Sequence, residues 1–240
     1  MIDLHCHILP GIDDGADSFE EAVAMVRFAG EQGCTAMVAT PHQRHPRWWN
    51  GDRQSLTELR NRLQEEIGES PTLLPGGEIR VDSEWLSEAE SWPGGGFLPI
   101  ADTQYLLIEF SRSGTGPEPE HIVHELVVGG WRPILAHPEL LPWLAGDLPR
   151  LENLVHLGAR LQITAMSLTG EFGRRPRESA RRLIETSLAH FIASDCHGIE
   201  RRPPGLLRAY DHVADRWSPE VATLLTTTNP TRVVNNQPIP

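Results

Sequence analysis

Apolar residues recur along this chain with two alternating periods, and the switch between them predicts its elements. The opening Met1-Ile-Asp-Leu-His5-Cys-His7-Ile reads as a strand. Ser18-Phe-Glu-Glu21 then has the form of a capping box, followed by Phe19, Ala22, Val23, Val26 and Ala29 at helical spacing until Gly33. The pattern repeats. Strand-like runs are predicted at Thr35–Thr40, Thr72–Ile79, Tyr105–Phe110, Arg132–His137, Ala159–Ala165 and His190–His197. Helical runs follow from about Asp52 (Leu56, Leu59, Leu63, Ile67), at His121–Gly130 and near Leu151–Leu157, with an arginine-rich helix over 177–188. Further helices start at Leu206 and at the Ser218-Pro219 cap. Trp85–Gly96 reads as a loop-rich excursion with Pro93–Gly96 as a hinge, and Val233–Pro240 as a frayed tail.

Seven strands alternating with helices predict an α/β fold with a largely parallel sheet, closed as a barrel in one domain spanning residues 1–240. Right-handed crossovers would place every strand's carboxyl end at one mouth, where barrel enzymes keep their chemistry. Metal-competent side chains stand at six of those seven ends: His5 and His7, His42, Glu78, Glu109, His137, and Asp195 with His197. Side chains two apart on a strand point the same way, so His5 pairs with His7 and Asp195 with His197. Asp13 or Asp14, in a turn just beyond His7, adds a ninth ligand. Nine ligands exceed the needs of one ion, so two or three are implied, and imidazole with carboxylate suits manganese, iron or zinc. Glu109 lies in an apolar run, where an unpaired charge would be costly without a cation. His45, His121, His124, His156, His190 and His212 read as solvated or packing residues.

Composition narrows the function. A net charge of -12 with no basic stripe argues against nucleic acid. All 21 basic residues are arginine, which excludes lysine Schiff-base chemistry and leaves anion recognition by arginine open. Arg44, Arg47, Trp48 and Trp49 would form an arginine and aromatic rim suited to an anionic aromatic ligand. Three cysteines without paired spacing and no long apolar run point to a reduced, cytoplasmic setting without a membrane span.

The segments Asp3-x-His5-x-His7, Asp13-Asp14-Gly15, Pro41-His42, Gly77-Glu78, Ile108-Glu109-Phe, Ala136-His137-Pro-Glu and Ser194-Asp195-x-His197 together resemble the PHP (polymerase and histidinol phosphatase) superfamily. More narrowly they are similar to its bacterial protein-tyrosine phosphatases of capsule and exopolysaccharide operons. The resemblance implies a distorted, TIM-like (β/α)7 barrel, the PHP fold, with three divalent ions, usually manganese, and makes Asp14 the acidic ligand of its turn. It implies a phosphotyrosine protein as substrate, the tail of a bacterial tyrosine kinase, and catalytic roles for Asp14, His42 and Arg202, the last holding phosphate. One departure stands out: the family's His-Pro-Glu-Arg-Tyr reads His137-Pro-Glu-Leu140-Leu141 here, which removes a phosphate-contacting arginine. Arg44 or Arg47 is expected to compensate.

Three other readings share these residues. A PHP phosphatase of a small phosphomonoester such as histidinol phosphate would use the same metal chemistry, and a non-catalytic metal-binding protein would fit the loss at Leu140. Cys196 and Arg202 also match the Cys-x5-Arg phosphate loop of cysteine phosphatases, although on a strand Cys196 would point away from Asp195 and His197.

Overall fold

The computed structural model describes residues 1–81 and 96–240; the predicted Trp85–Gly96 excursion and its hinge lie, but for Gly96, outside the described residues. Among the described residues there are nine strands: eight fall in the seven expected runs, and His42–Gln43 lies just beyond Thr40. One sheet runs β1 (Ile2–Cys6), β2 (Ala36–Ala39) and β4 (Thr72–Pro75); the other runs β3 (His42–Gln43), β5 (Glu78–Arg80), β6 (Tyr105–Glu109), β7 (Arg132–Ala136), β8 (Arg160–Thr164) and β9 (Ala189–Ala193). Every pairing is parallel.

The extra strands correct the expectation of one continuous strand over Thr72–Ile79. Pro41 and Pro75 lack the N–H that a continuing ladder requires, so two strands break there and resume in the second sheet. Gly76-Gly77 completes the second break. A Cβ on Gly77 would lie 2.4 Å from Gln43 Oε1, so glycine allows β3 and β5 to sit side by side. The other seam closes between β1 and β9, where Asp195 N donates to His5 O at 2.8 Å and His7 N to Cys196 O at 3.0 Å. These joints bend the α/β sheet into the closed, parallel barrel.

Around it pack α1 (Phe19–Glu31), α2 (Arg53–Ile67), α3 (Pro119–Val128), α4 (Leu148–His156), α5 (Ala165–Thr169), α6 (Arg174–Glu185), α7 (Leu206–Arg216), α8 (Pro219–Thr223) and α9 (Asn229–Val234). Strand alternation sorts the core into layers. Tyr105 and Leu107 of β6 join Ile134, Ala136 and Phe191 in one cluster, while Leu106, Ile108, Leu135 and Ile192 join the helices in another. The β1–β2 register shifts between Asp3 and Cys6, which sends Leu4 to the first cluster and Cys6 to the cluster beneath α1.

Several local expectations are revised. Ser18 caps α1 through Glu21 N, but the Glu21 carboxylate does not close the box; it accepts from Asp17 N and Ile199 N, tying α1 to the loop after β9. The arginine-rich helix begins at Arg174 and ends at Glu185. The C-terminal helix continues past Leu225 through a π turn at Leu224–Thr228 into α9. The tail is not frayed: Tyr105 Oη donates to Gln237 O at 2.7 Å, Arg160 Nη2 donates to Ile239 O at 2.8 Å, and Ile239 is buried. With Arg132 Nη1 donating to Asn236 O at 3.0 Å, polar anchors on three strands replace the helical order the tail lacks. No described helix is long and apolar enough to cross a membrane.

Candidate metal centre

All nine expected side chains gather at one mouth of the barrel, most of them buried. Backbone turns aim several of them. His137 and Asp195 adopt φ of 35° and 52°, a left-handed conformation that costs a non-glycine residue roughly 1–3 kcal/mol and turns each side chain as its strand ends. Gly15 lets the Asp13-Asp14 turn fold against β1, since a Cβ there would lie 2.1 Å from His7 O.

Glu78 is the centre of the cluster. Its carboxylate, 1 % exposed, lies 3.4 Å from His5 Nε2, 3.4 Å from His7 Nε2, 2.8 Å from His42 Nδ1 and 2.9 Å from His137 Nε2. Asp14 stands opposite, 3.3 Å from His42 Nε2 and 3.4 Å from His197 Nε2. Four overlapping groups place ligand atoms within 4.8 Å of one another: His7, Asp14, His42 and His197; His5, His137 and Asp195; His5, His7 and Glu78; His42, Glu78 and Glu109.

Neighbouring acceptors fix three of the imidazoles. His5 Nδ1 is 2.8 Å from Gln162 Oε1, His7 Nδ1 is 2.8 Å from Asp13 Oδ2, and His197 Nδ1 is 2.9 Å from Asp195 O. Each acceptor holds a proton on Nδ1 and leaves the Nε2 lone pair facing the cluster, the arrangement that metal-ligating histidines use. Asp13 and Asp14 therefore play different parts: Asp13 braces His7 and accepts from His42 N and Gly15 N, whereas Asp14 meets two imidazoles.

This donor set fits divalent cations. His5 Nε2 and His7 Nε2 are 3.1 Å apart, and two lone pairs cannot satisfy each other without a positive charge between them. His137 Nδ1 is buried without a partner. Burial alone would lower the His5 and His42 pKa values, yet Glu78 with Asp195 pushes His5 up to about 9, and Glu78 with Asp14 pushes His42 up to about 11. Burial likewise opposes ionisation of Glu78, but the His5 and His42 charges hold it well below the usual carboxylate range. The pocket is built to stabilise positive charge.

Glu109 is corrected in one respect. Its charge is not unpaired, because Arg80 Nη1 lies 2.9 Å from Glu109 Oε2. The expected rim is also only partly right. Arg47 and Trp48 line the pocket, and Trp48 stacks on His42 with ring centres 5.4 Å apart and on His45 at 4.6 Å. Arg44, by contrast, is buried outside the pocket lining, and Trp49 is exposed away from it. Arg44 was expected at the rim because sequence spacing cannot show that residue 44 turns at φ 56°.

Arg202 enters the pocket from the loop after β9. It forms an ion pair with Asp195, its guanidinium carbon lies 5.2 Å from the Phe172 ring centre, and its Nε is buried without a partner. Cys196 is fully buried outside the lining, with its neighbours in the cluster beneath α1, which removes it as the nucleophile of a Cys-x5-Arg loop.

Sequence reasoning passed over Gln162, His45 and Glu139. Gln162 had a signal, since it alternates with Leu161 and Ile163 on β8. His45 was read as a packing residue but lines the pocket beside Trp48. Glu139 is buried in the lining, where its Oε1 accepts from Thr164 N at 2.9 Å and Ser167 Oγ at 2.7 Å. Nothing in the linear pattern marks those two partners. The pocket is open to one side and has a volume of about 1190 Å³.

The profile of a family described as capsular polysaccharide synthesis, CpsB/CapC, matches residues 1–235. The chain is 37% identical over 206 residues to the tyrosine-protein phosphatase YwqE of Bacillus subtilis, covering 84% of this chain and 79% of the relative. It is 28% identical over 246 residues to the tyrosine-protein phosphatase CpsB of Streptococcus pneumoniae, covering 99% of each. Crystal structures of YwqE and CpsB, described as unique metal-dependent tyrosine phosphatases, include a chain that superposes with a TM-score of 0.89 at 34% identity, covering 100% of this chain and 96% of that one. A phosphotriesterase homology protein from Escherichia coli shares the fold at a TM-score of 0.59 and 13% identity, covering 98% and 97%.

Proposed function

Since the chain belongs to the CpsB/CapC family of capsular polysaccharide synthesis, we propose that it is a metal-dependent protein-tyrosine phosphatase acting in capsule or exopolysaccharide production. One observation carries this reading. Five imidazoles and four carboxylates, Glu78 and Asp14 among them, converge at one mouth of a barrel that overlays a metal-dependent tyrosine phosphatase over its whole length. His5, His7, Asp14, His42, Glu78, Glu109, His137, Asp195 and His197 would hold three divalent ions, with manganese favoured. Four carboxylates against three divalent charges leave a mouth of net positive charge, suited to phosphate. Such ions supply Lewis acidity toward phosphoryl oxygens and an activated water as nucleophile.

The protein's own residues do the rest of the work. Gln162 and Asp13 keep His5 and His7 oriented with Nε2 inward. Asp14 and His42 complete the side of the cluster that faces the open pocket, and the Trp48 plane offers an aromatic wall for the tyrosyl ring. Arg202, which lines the pocket, would hold a phosphoryl oxygen with its guanidinium and so stabilise the negative charge that develops there. A phenolate leaving group has a pKa near ~10 and needs less protonation than an alkoxide.

The substrate is proposed to be the phosphotyrosine tail of a bacterial tyrosine kinase, met in the cytoplasm. The pocket is open to one side with Arg47 and Trp48 in its wall, which leaves room for a protein segment around the phosphotyrosine and favours it over histidinol phosphate. Comparing kcat/KM of the manganese-loaded protein on phosphotyrosine peptides and on histidinol phosphate tests this. A marked preference for the small phosphomonoester overturns it.

A further inference from the structure

The mouth has a second charged feature, away from the metal cluster. Arg112, Arg175 and Arg182 line the same pocket, and among the described residues no carboxylate lies within ion-pair distance of any of them. Arg175 and Arg182 are seven residues apart on α6, two helical turns along one face. Each is exposed, so its charge is hydrated and available. In a chain carrying a net charge of -12, three arginines without a carboxylate partner at one mouth are available to meet a negatively charged ligand.

Their position relates to the missing arginine. Leu140 lies in the short 3-10 turn Pro138–Leu140, where it lines the pocket. Helix α6 packs on that turn, and Ser179 Oγ fastens the helix by donating to Ala145 O at 2.6 Å. Cationic charge lost at position 140 is therefore present on an element packed against that turn and lining the same pocket. From there it meets what flanks the phosphoryl group.

Resting on the phosphotyrosine reading above, we propose that Arg175 and Arg182, with Arg112 of the same pocket, form a subsite for acidic residues flanking the phosphotyrosine, so that this enzyme prefers an acidic peptide segment. A short peptide suits the wall better than a long polyanion. The arginines are interrupted by Pro176 and Glu178, and the rest of the surface is acidic enough to repel an extended chain of negative charge.

The test uses the metal-loaded full chain and two phosphotyrosine peptides, one flanked by glutamates and one by glutamines. Wild type should favour the acidic peptide about five- to tenfold in kcat/KM, carried by KM, and the preference should shrink between 50 and 500 mM salt, as rim ion pairs do. In the double variant Arg175→Gln, Arg182→Gln the preference should fall to within about twofold, and Arg175→Lys, Arg182→Lys should keep most of it. Equal kcat/KM for the two peptides in wild type, or an unchanged preference in the glutamine variant, overturns the subsite. So does competitive inhibition by hyaluronate as strong as by the acidic peptide, which would make the wall a polysaccharide site. Hydrolysis of histidinol phosphate with neither peptide cleaved is a different failure, that of the phosphotyrosine reading itself. Should the double variant misfold, the salt dependence in wild type decides the question.

Discussion

Arg202 is ion-paired to Asp195, so a cation from outside the cluster is bound to a carboxylate that belongs to it. Burial would raise the Asp195 pKa, but the charges of Arg202 and of His5 hold it far below the usual carboxylate range. The pair keeps Asp195 ionised and places the Arg202 guanidinium at the pocket wall, beside Phe172.

Arg202→Ala should lower kcat by ~10²-fold or more, because a donor aimed at developing negative charge is lost. Metal content should not fall, since the substitution removes a positive charge that competes for Asp195. Steady-state kinetics with metal analysis on the same preparation reads both quantities. A preserved kcat with a modest rise in KM would reduce Arg202 to a rim contact.

Gln162→Leu should weaken metal binding by ~10–100-fold, as loss of a hydrogen-bond partner behind a metal-ligating histidine typically does. Gln162 Oε1 is what holds the His5 Nδ1 proton, and leucine cannot accept it. Competition with a chromogenic chelator measures the change; unaltered affinity would mean packing alone orients His5.

Chelation should abolish hydrolysis of p-nitrophenyl phosphate, and manganese should restore it, while Cys196→Ser keeps most turnover because that thiol is buried outside the pocket. Metal should also raise Tm, more at pH 8 than at pH 6. His5 has a folded pKa of about 9 against an unfolded value near ~6.5. The metal-free fold therefore holds its proton-linked stabilisation below pH ~6.5 and loses it as pH rises through 9, while ligation requires the deprotonated ring. Full activity in excess EDTA would refute the metal mechanism.

His190 should make the protein acid-sensitive. Burial and the Arg160 charge lower its pKa to about 4, and its Nδ1 accepts from Leu161 N at 3.1 Å, which requires an unprotonated nitrogen. The depressed value means stability is intact above the unfolded pKa near ~6.5 and is lost as pH falls from there to 4, by up to about 3 kcal/mol. Urea titrations of chelated wild type and His190→Gln at pH 7 and 4.5 isolate that contribution. An equal pH dependence in both would show that His190 is not its source.

The sequence by itself determined the number of βα units, the parallel sheet and the chemistry at the strand ends. Those features are local. A strand shows its period within a few residues, and a histidine or carboxylate at its end needs no distant information to be recognised. Seven breaks in pattern were enough to bring His5, His42, Glu78, Glu109, His137 and Asp195 to one mouth, because crossover handedness leaves little choice of side. Tertiary structure alone decided which charges meet. Arg80 neutralises Glu109, Gln162 fixes His5 from a strand 157 positions away, Asp13 braces rather than faces the cluster, and Arg44 leaves the rim. It also decided that the C-terminal residues are bound, since their backbone carbonyls are satisfied by Tyr105, Arg132 and Arg160, residues that no period in the tail could announce. Side-chain partners across the barrel depend on register and backbone turns such as φ 35° at His137, and these are set by the whole closed sheet rather than by any one segment.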